Sequence, residues 1–201
     1  MRRRTALKLT TGLFGTASAA CLGDGSGNGD GSNDDALYTV SVELLGKSHA
    51  EELPLVLDFD TTRETITEDD PFEIEIKLRN DGDGPVETSS GAPWPFGVVW
   101  LERADAPDEP GVTLWTDAYE ESSHVRTEGR RAVMVEDIGF IEDVDGGESI
   151  SETYELHGDT PELTVGTYRF SVGVGARAGE VSDSVSLDIE LVVGDGSETA
   201  R

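Results

Sequence analysis

The sequence of 201 residues has few of the side chains that most enzymes and metal sites use, with one cysteine and three histidines. Positive charge is scarce as well, because Lys and Arg number 15 against 42 Asp and Glu, a formal net charge of −27. A protein this acidic repels the phosphates of nucleic acids and the headgroups of anionic lipids. The composition therefore excludes general nucleic-acid binding, and the single cysteine excludes an internal disulfide.

The hydrophobic content is nevertheless high enough for a folded core. Leu, Ile, Val and Phe together make up 48 of the 201 residues. This share exceeds the fraction of about 20% below which highly charged chains are usually disordered. The length suits one domain of ordinary size.

Catalytic and metal-binding patterns are missing from the sequence. His49, His124 and His157 are far apart and lack the spacing of a metal-binding helix, so we interpret them as solvated loop or strand residues. No G-x-S-x-G motif marks a nucleophilic serine, and carboxylate pairs such as Asp58 and Asp60 are unavoidable among 42 acids. We therefore expect no enzyme, metal or cofactor, with a hydrolase of unrecognised site as the alternative.

Residues 1–20 contain four basic residues, no acidic residue and a short apolar stretch. This arrangement is typical of an export signal, and the stretch is shorter than a membrane span of about 20 apolar residues. Arg3 and Arg4, followed by the letters TALK, resemble the signal of the twin-arginine pathway, which exports folded proteins. The small residues before Cys21 resemble a lipobox, and this resemblance implies that Cys21 is lipidated and becomes the new N-terminus.

Residues 21–36 are rich in Gly, Asp, Ser and Asn and are predicted to form a flexible tether. A random coil of this length reaches about 20 Å. Asp24, Ser26, Asn28 and Asp35 match ligand positions of an EF-hand-like calcium loop. Because no helix is predicted on either side, we favour the linker and keep the calcium site as the alternative.

Beyond the tether, hydrophobic residues recur with a period of two. Residues 72–78 read FEIEIKL, which predicts a strand with one buried and one solvated face. Eight further strands are predicted at residues 38–44, 55–59, 96–101, 112–115, 131–141, 150–156, 167–174 and 181–193, and the one at 131–141 has a possible break at Gly139. Residues 81–84 and 143–146 are interpreted as hairpin turns. This pattern predicts an all-β fold, an antiparallel immunoglobulin-like β-sandwich over residues 37–195, followed by a disordered tail at residues 196–201.

The segment from Leu163 to Tyr168 has the pattern Leu-x-x-Gly-x-Tyr. It resembles the tyrosine corner of immunoglobulin-like folds, in which the tyrosine hydroxyl bonds to the backbone upstream. The resemblance implies this role for Tyr168, and an ordinary strand aromatic is the alternative.

The order of features between Phe72 and Val174 resembles the BsuPI proteinase-inhibitor family, whose fold is an immunoglobulin-like sandwich. The shared features include a strand ending in Asn-Asp-Gly at Asn80, an aromatic strand after Gly91, and the segment that ends at Tyr168. The resemblance implies the fold and, as an alternative function, inhibition of an extracellular serine protease. It assigns no inhibitory residue to this sequence.

The three tryptophans are predicted to play different roles. Trp94 lies between prolines in the segment GAPWP, which favours an extended loop that displays the ring. Exposed aromatic residues anchor protein and carbohydrate contacts, so Trp94 is our candidate recognition residue. Trp100 and Trp115 lie in apolar runs and are predicted to fill the core.

Without the expected signal, the charge is more extreme. Residues 21–201 contain 11 basic and 42 acidic residues, and only two of the basic ones are lysines. Such surfaces resemble those of proteins from halophilic archaea, whose exported proteins often combine twin-arginine signals with lipoboxes. We therefore expect a non-enzymatic interaction domain adapted to high salt, anchored on the outer face of the cytoplasmic membrane through lipid on Cys21. Its expected partner is an unknown protein or carbohydrate.

Overall fold

The computed structural model describes residues 36–107, 109 and 111–197. Within these residues the chain forms thirteen strands and one short helix. In chain order they are β1 (Tyr38–Ser48), β2 (Leu55–Arg63), β3 (Thr65–Ile66), β4 (Phe72–Asn80), β5 (Val86–Gly91), β6 (Val99–Arg103), β7 (Val112–Leu114), α1 (Ala118–Glu121), β8 (Val125–Thr127), β9 (Ala132–Val135), β10 (Gly139–Val144), β11 (Ser149–Leu156), β12 (Gly166–Ala178) and β13 (Val181–Asp195). No helix among the described residues has the length and apolar character needed to span a membrane.

The segments that flank the predicted domain lie partly outside the described residues. Of the expected tether at residues 21–36, only Ala36 is described, and the candidate calcium loop lies outside the described residues. The expected tail at residues 196–201 begins with Gly196, whose N–H donates to the carbonyl of Leu37 at 3.2 Å. This bond joins the end of β13 to the start of β1.

The strands form two antiparallel layers that pack face to face, which confirms the predicted all-β sandwich. The larger sheet has the order β10-β5-β12-β13-β1-β3, and β6 pairs with β12 on the same side as β5 before continuing to β7. The smaller sheet has the order β11-β4-β2. Strands β8 and β9 form a separate hairpin. All the pairings that build the two layers are antiparallel.

The central strand of the smaller sheet, β4, confirms the alternation predicted from the sequence. Its apolar residues, Phe72, Ile74, Ile76 and Leu78, are all fully buried, whereas the residues between them are half-buried on the other face. Burial of each such side chain stabilises the fold by about 1.5–3 kcal/mol. They belong to one core cluster that also includes the inward residues of β12 and β13.

Two strand predictions are corrected by the structure. The predicted strand at residues 131–141 is divided into β9 and β10, which belong to different sheets, because the chain turns at Ile138, whose N–H donates to the carbonyl of Glu136; the possible break at Gly139 is the start of β10. Trp115 is buried as predicted, but the prediction that Trp100 fills the core is wrong, since its exposed fraction is 42%. Val99 and Leu101 face the core, so strand alternation turns Trp100 outward.

The two segments interpreted as hairpin turns instead carry the chain from one layer to the other. Residues 81–84 connect β4 of the smaller sheet to β5 of the larger sheet, and residues 143–146 lead from β10 back to β11. The composition of both segments predicts turns, and turns are observed. Composition does not specify which sheet the next strand joins. These segments are called the first and second crossings below.

A buried asparagine at the end of β4 joins the two crossings. The amide nitrogen of Asn80 donates to the carbonyls of Gly84 and Val144, both at 2.9 Å. Its amide oxygen accepts the N–H of Gly82 at 3.0 Å, and its backbone carbonyl accepts the N–H of Gly147 at 2.9 Å. Each buried polar group left unbonded costs about 1–3 kcal/mol, so this one side chain stabilises both crossings.

The bond expected of Tyr168 is confirmed. Its hydroxyl donates to the carbonyl of Thr164 at 2.9 Å and accepts the N–H of the same residue at 3.0 Å. The ring is fully buried. The segment before β12 is therefore fixed to the strand that it precedes.

Gly146 lies where the two crossings touch, so a substitution at this position tests how closely the crossings pack. A Cβ at this position would stand 2.5 Å from the carbonyl carbon of Asp83. Gly146→Ala is therefore expected to lower the free energy of unfolding by about 2 kcal/mol. Gly84→Ala is the matched control, because nothing lies within 4 Å of its Cβ, and its stability should change by less than about 0.5 kcal/mol. Denaturant unfolding in molar salt measures both, and equal stabilities would contradict this account of the crossings.

Candidate functional site

Trp94 lies in a turn that follows β5 at the edge of the larger sheet. The N–H of Gly97 donates to the carbonyl of Pro93 at 2.7 Å, and Gly97 takes a φ of 72°, which favours glycine. The peptide bonds before Pro93 and Pro95 are cis. The hydrogen bond between Gly97 and Pro93 closes the segment into a turn, so the extended loop expected from its prolines is not formed.

The indole ring of Trp94 is half-buried and packs against the core cluster. Its Nε1 donates to the hydroxyl of Thr88 at 3.4 Å, and that hydroxyl donates to the carbonyl of Glu142 at 2.9 Å. Thr88 lies on β5 and Glu142 on β10, so the hydrogen bonds tie the indole to both strands. The ring is therefore held in place while part of its surface stays open.

A second wall beside Trp94 is the helix α1, which is fixed by one buried tyrosine. The hydroxyl of Tyr119 accepts the N–H of Val99 at 2.9 Å, and its ring stands edge-on to Trp115 at a centroid distance of 5.6 Å. Burial raises the pKa of Tyr119 far above its ordinary value, so the hydroxyl stays neutral. This anchoring places Ala118 and Glu121 next to the Trp94 ring.

A third wall combines a histidine with the first residues of β10. Nδ1 of His124 lies 2.8 Å from a carboxylate oxygen of Glu136, and the Glu136 N–H donates to the His124 carbonyl at 2.9 Å. The imidazole meets the ring of Phe140 at a centroid distance of 5.5 Å and an angle of 66°. The carboxylate and the phenyl ring together orient the imidazole.

These three walls enclose an open groove of about 400 Å³, here called the Trp94 groove. Its lining consists of Pro93, Trp94, Ala118, Glu121, Ser122, Ser123, His124 and Phe140. The lining contains aromatic rings, hydroxyls and a carboxylate, and none of these eight residues is Lys or Arg. Aromatic faces pack against apolar groups, sugar rings and cations, and the hydroxyls and carboxylate accept hydrogen bonds from a bound partner.

The polar groups of the groove bond to one another. His124 and Glu136 form an imidazole–carboxylate pair, and the hydroxyl of Ser122 accepts the backbone N–H of His124 at 3.3 Å. Within the part of the chain that the structure describes, no serine hydroxyl bonds to the His124 ring. No group of three metal-ligating side chains occurs among the described residues either.

The structure brings Trp94 together with two residues that sequence analysis did not assign to a site. The sequence predicts that His124 is a solvated residue and that Phe140 lies near the end of the strand predicted at residues 131–141. Neither residue carries a local signal, because the groove forms only when the turn after β5, the helix α1 and the start of β10 meet. The other residues singled out from the sequence, Arg3, Arg4 and Cys21, lie outside the described residues.

Comparison with known proteins gives a family. No curated protein matches this chain. A family model described as a domain of unknown function, DUF8130, matches residues 1–180, a region that contains every residue lining the Trp94 groove. The chain therefore belongs to the DUF8130 family.

Proposed function

We propose that this chain is a non-enzymatic binding protein, exported and anchored by lipid to the outer face of the cytoplasmic membrane. Its β-sandwich presents the Trp94 groove to an extracellular partner. The groove is the observation that carries this proposal, because hydrogen bonds and ring contacts hold its side chains in place before any partner arrives. Side chains that are already ordered lose little conformational entropy on binding, which favours recognition.

The N-terminal segment supports the anchored location. Arg3 and Arg4 precede an apolar stretch, Cys21 follows small residues, and the family model includes this whole segment. The tether of residues 21–36 has a reach of about 20 Å, enough to hold the sandwich clear of the lipid surface. Export in folded form suits a sandwich that has no disulfide to form outside.

The anchor is tested by metabolic labelling with a radioactive lipid precursor. Cys21→Ser removes the thiol that accepts the lipid, so the label should be lost and the protein should appear in the medium. Ser26→Ala, in the tether, is the control and should keep both the label and the membrane location. Equal labelling of the two variants would overturn the anchor.

The groove is tested by photo-crosslinking in intact cells. A photo-reactive amino acid at Ser123, in the groove, should yield a crosslinked adduct with a component of the cell envelope. The same amino acid at Ser41, an exposed position on β1, is the control and should not yield that adduct. Identical adducts from both positions would show that the groove has no special role.

Adaptation to high salt is supported by the outer face of the smaller sheet. Asp60 stands directly opposite Glu75, and Glu73 stands opposite Glu155. Like charges that face each other across strands are destabilising. Arg63, whose guanidinium lies 2.9 Å from the Glu73 carboxylate, offsets only part of this repulsion. Salt at molar concentration shortens the Debye length to about 3 Å and so weakens the remaining repulsion between these carboxylates.

We therefore expect thermal stability to rise as KCl is raised from low to molar concentration. Glu75→Gln removes one like-charge pair, so it should gain about 0.5 kcal/mol at low salt and little at high salt. Lys77→Gln is the opposite control, because Lys77 stands across from Asp58 and its loss should increase the salt dependence. Melting curves across the salt series measure the stability of each variant. A cooperative melt whose midpoint does not change with salt would contradict the adaptation to high salt.

We also propose that the sandwich is of the immunoglobulin-like kind. The two bonds between Tyr168 and Thr164 support an immunoglobulin-like kind of sandwich, in which such a tyrosine fixes the entry to a late strand. The scarcity of lysine among the basic residues supports the likeness to exported proteins of halophilic archaea.

A further inference from the structure

We infer that the free edge of β10 accepts an extended, basic peptide segment of an extracellular partner as an added strand, with a cationic side chain entering the Trp94 groove. The inference rests on the proposed function and specifies how that groove is occupied. The observations that support it are the pairings of the edge strands in the two sheets.

Strand β10 is a regular edge of the larger sheet, and its residue Phe140 lines the Trp94 groove. It pairs with β5 on one side, and within residues 36–107, 109 and 111–197 no strand pairs with its other side. The other edge strands carry no residue of the groove lining: β3 has two residues and β7 has three, β1 and β2 each contain a register shift, and β11 is bridged to Trp115. Short strands and bulges are the usual means by which proteins block unwanted pairing.

The register of β10 is continuous over its whole length. Every residue from Gly139 to Val144 has a partner on β5, without a bulge. Four of these six residues are exposed, and Ile141 has an exposed fraction of 63%. A regular, exposed edge with a large apolar side chain is the geometry that receives an additional strand.

The groove lies where the side chains of an added strand would reach. Phe140 on β10 forms part of the groove wall, whereas Ile141 points to the opposite face of the sheet. Residues that face each other on neighbouring strands have Cβ atoms about 4.5–5.5 Å apart. A side chain of an added strand opposite Phe140 would therefore contact its ring and extend into the groove.

The charge of the site favours a cationic side chain there. Glu121 lines the groove, Glu136 lies behind His124, and β10 itself carries Glu142 and Asp143. The faces of the Trp94 and Phe140 rings also attract cations. A second copy of this chain is disfavoured, because it would bring its own Glu142 and Asp143 into close contact with the same acids at the edge.

Strand addition is also compatible with the solvent proposed for this protein. Molar salt screens attraction between distant charges, so a partner cannot be held by long-range electrostatics. Backbone hydrogen bonds and apolar contacts act at short range, and burial of apolar groups is not weakened by such screening. A partner bound by both remains bound at high salt.

The test uses the full chain in molar KCl and a short, capped, fluorescent peptide in which Arg and Val alternate. We expect binding by fluorescence anisotropy, with slower hydrogen exchange of the amides of residues 139–144 measured by NMR. A peptide in which Glu replaces Arg should not bind. The Arg peptide with every backbone nitrogen methylated should lose at least about tenfold in affinity, because it cannot pair with β10.

Two variants connect the binding to the groove. Phe140→Ala should weaken binding of the Arg peptide by about tenfold. Val192→Ala is the matched control, since Val192 is an exposed apolar residue of β13 and the affinity should not change. Melting curves show that both variants are folded.

Three results would overturn the inference. They are no binding of the Arg peptide at millimolar concentration, equal binding of the methylated peptide, and binding without slower exchange at residues 139–144. Dimerisation through β10, seen as protection of these amides without peptide, would also overturn it and would assign the edge to a second copy. The proposed function is judged separately, because crosslinking from position 123 reports a groove partner of any chemistry.

Discussion

The side chain of Asn80 is the contact on which the two-layer arrangement depends. It lies fully buried at the end of β4 and bonds to both segments where the chain crosses between the sheets. At a crossing the backbone leaves one ladder of hydrogen bonds before it enters another, so its polar groups need other partners. A single amide that donates twice and accepts once satisfies the first crossing and the second crossing together.

This junction also places the site. Because the first crossing leads into β5 and the second leads out of β10, the two strands lie side by side at the edge of the larger sheet. The turn that carries Trp94 follows β5, and the segment that carries His124 lies before β10. The Trp94 groove therefore forms at the edge where the chain enters and leaves the larger sheet. The same geometry leaves the outer side of β10 without a strand partner among the described residues.

The sequence predicted those elements whose residues alternate in a simple way. The alternation of residues 72–78 and the pattern before Tyr168 correspond to β4 and to the bonds of Thr164. The prediction from the sequence was wrong where one local pattern is consistent with two structures. An apolar run is consistent with a strand that is buried on both faces or on only one. The run that contains Trp100 does not show that the outer face of β6 is exposed to solvent, so the side chain of Trp100 is predicted to be buried when it is exposed. His124 and Phe140 carried no signal, since their proximity to Trp94 depends on contacts between distant segments.

The sequence by itself determined that this chain is a very acidic, all-β protein with a core, preceded by a segment whose only charged residues are basic and which ends at Cys21. These properties follow from composition and from a period of two, which depend only on neighbouring residues. Only the tertiary structure decided that the Asp- and Gly-rich turns join different sheets, that three distant aromatic side chains share a groove, and that β10 is the edge strand beside that groove. The physical reason is that a strand buries a face whichever sheet it joins, so its partner is chosen by packing across the whole core.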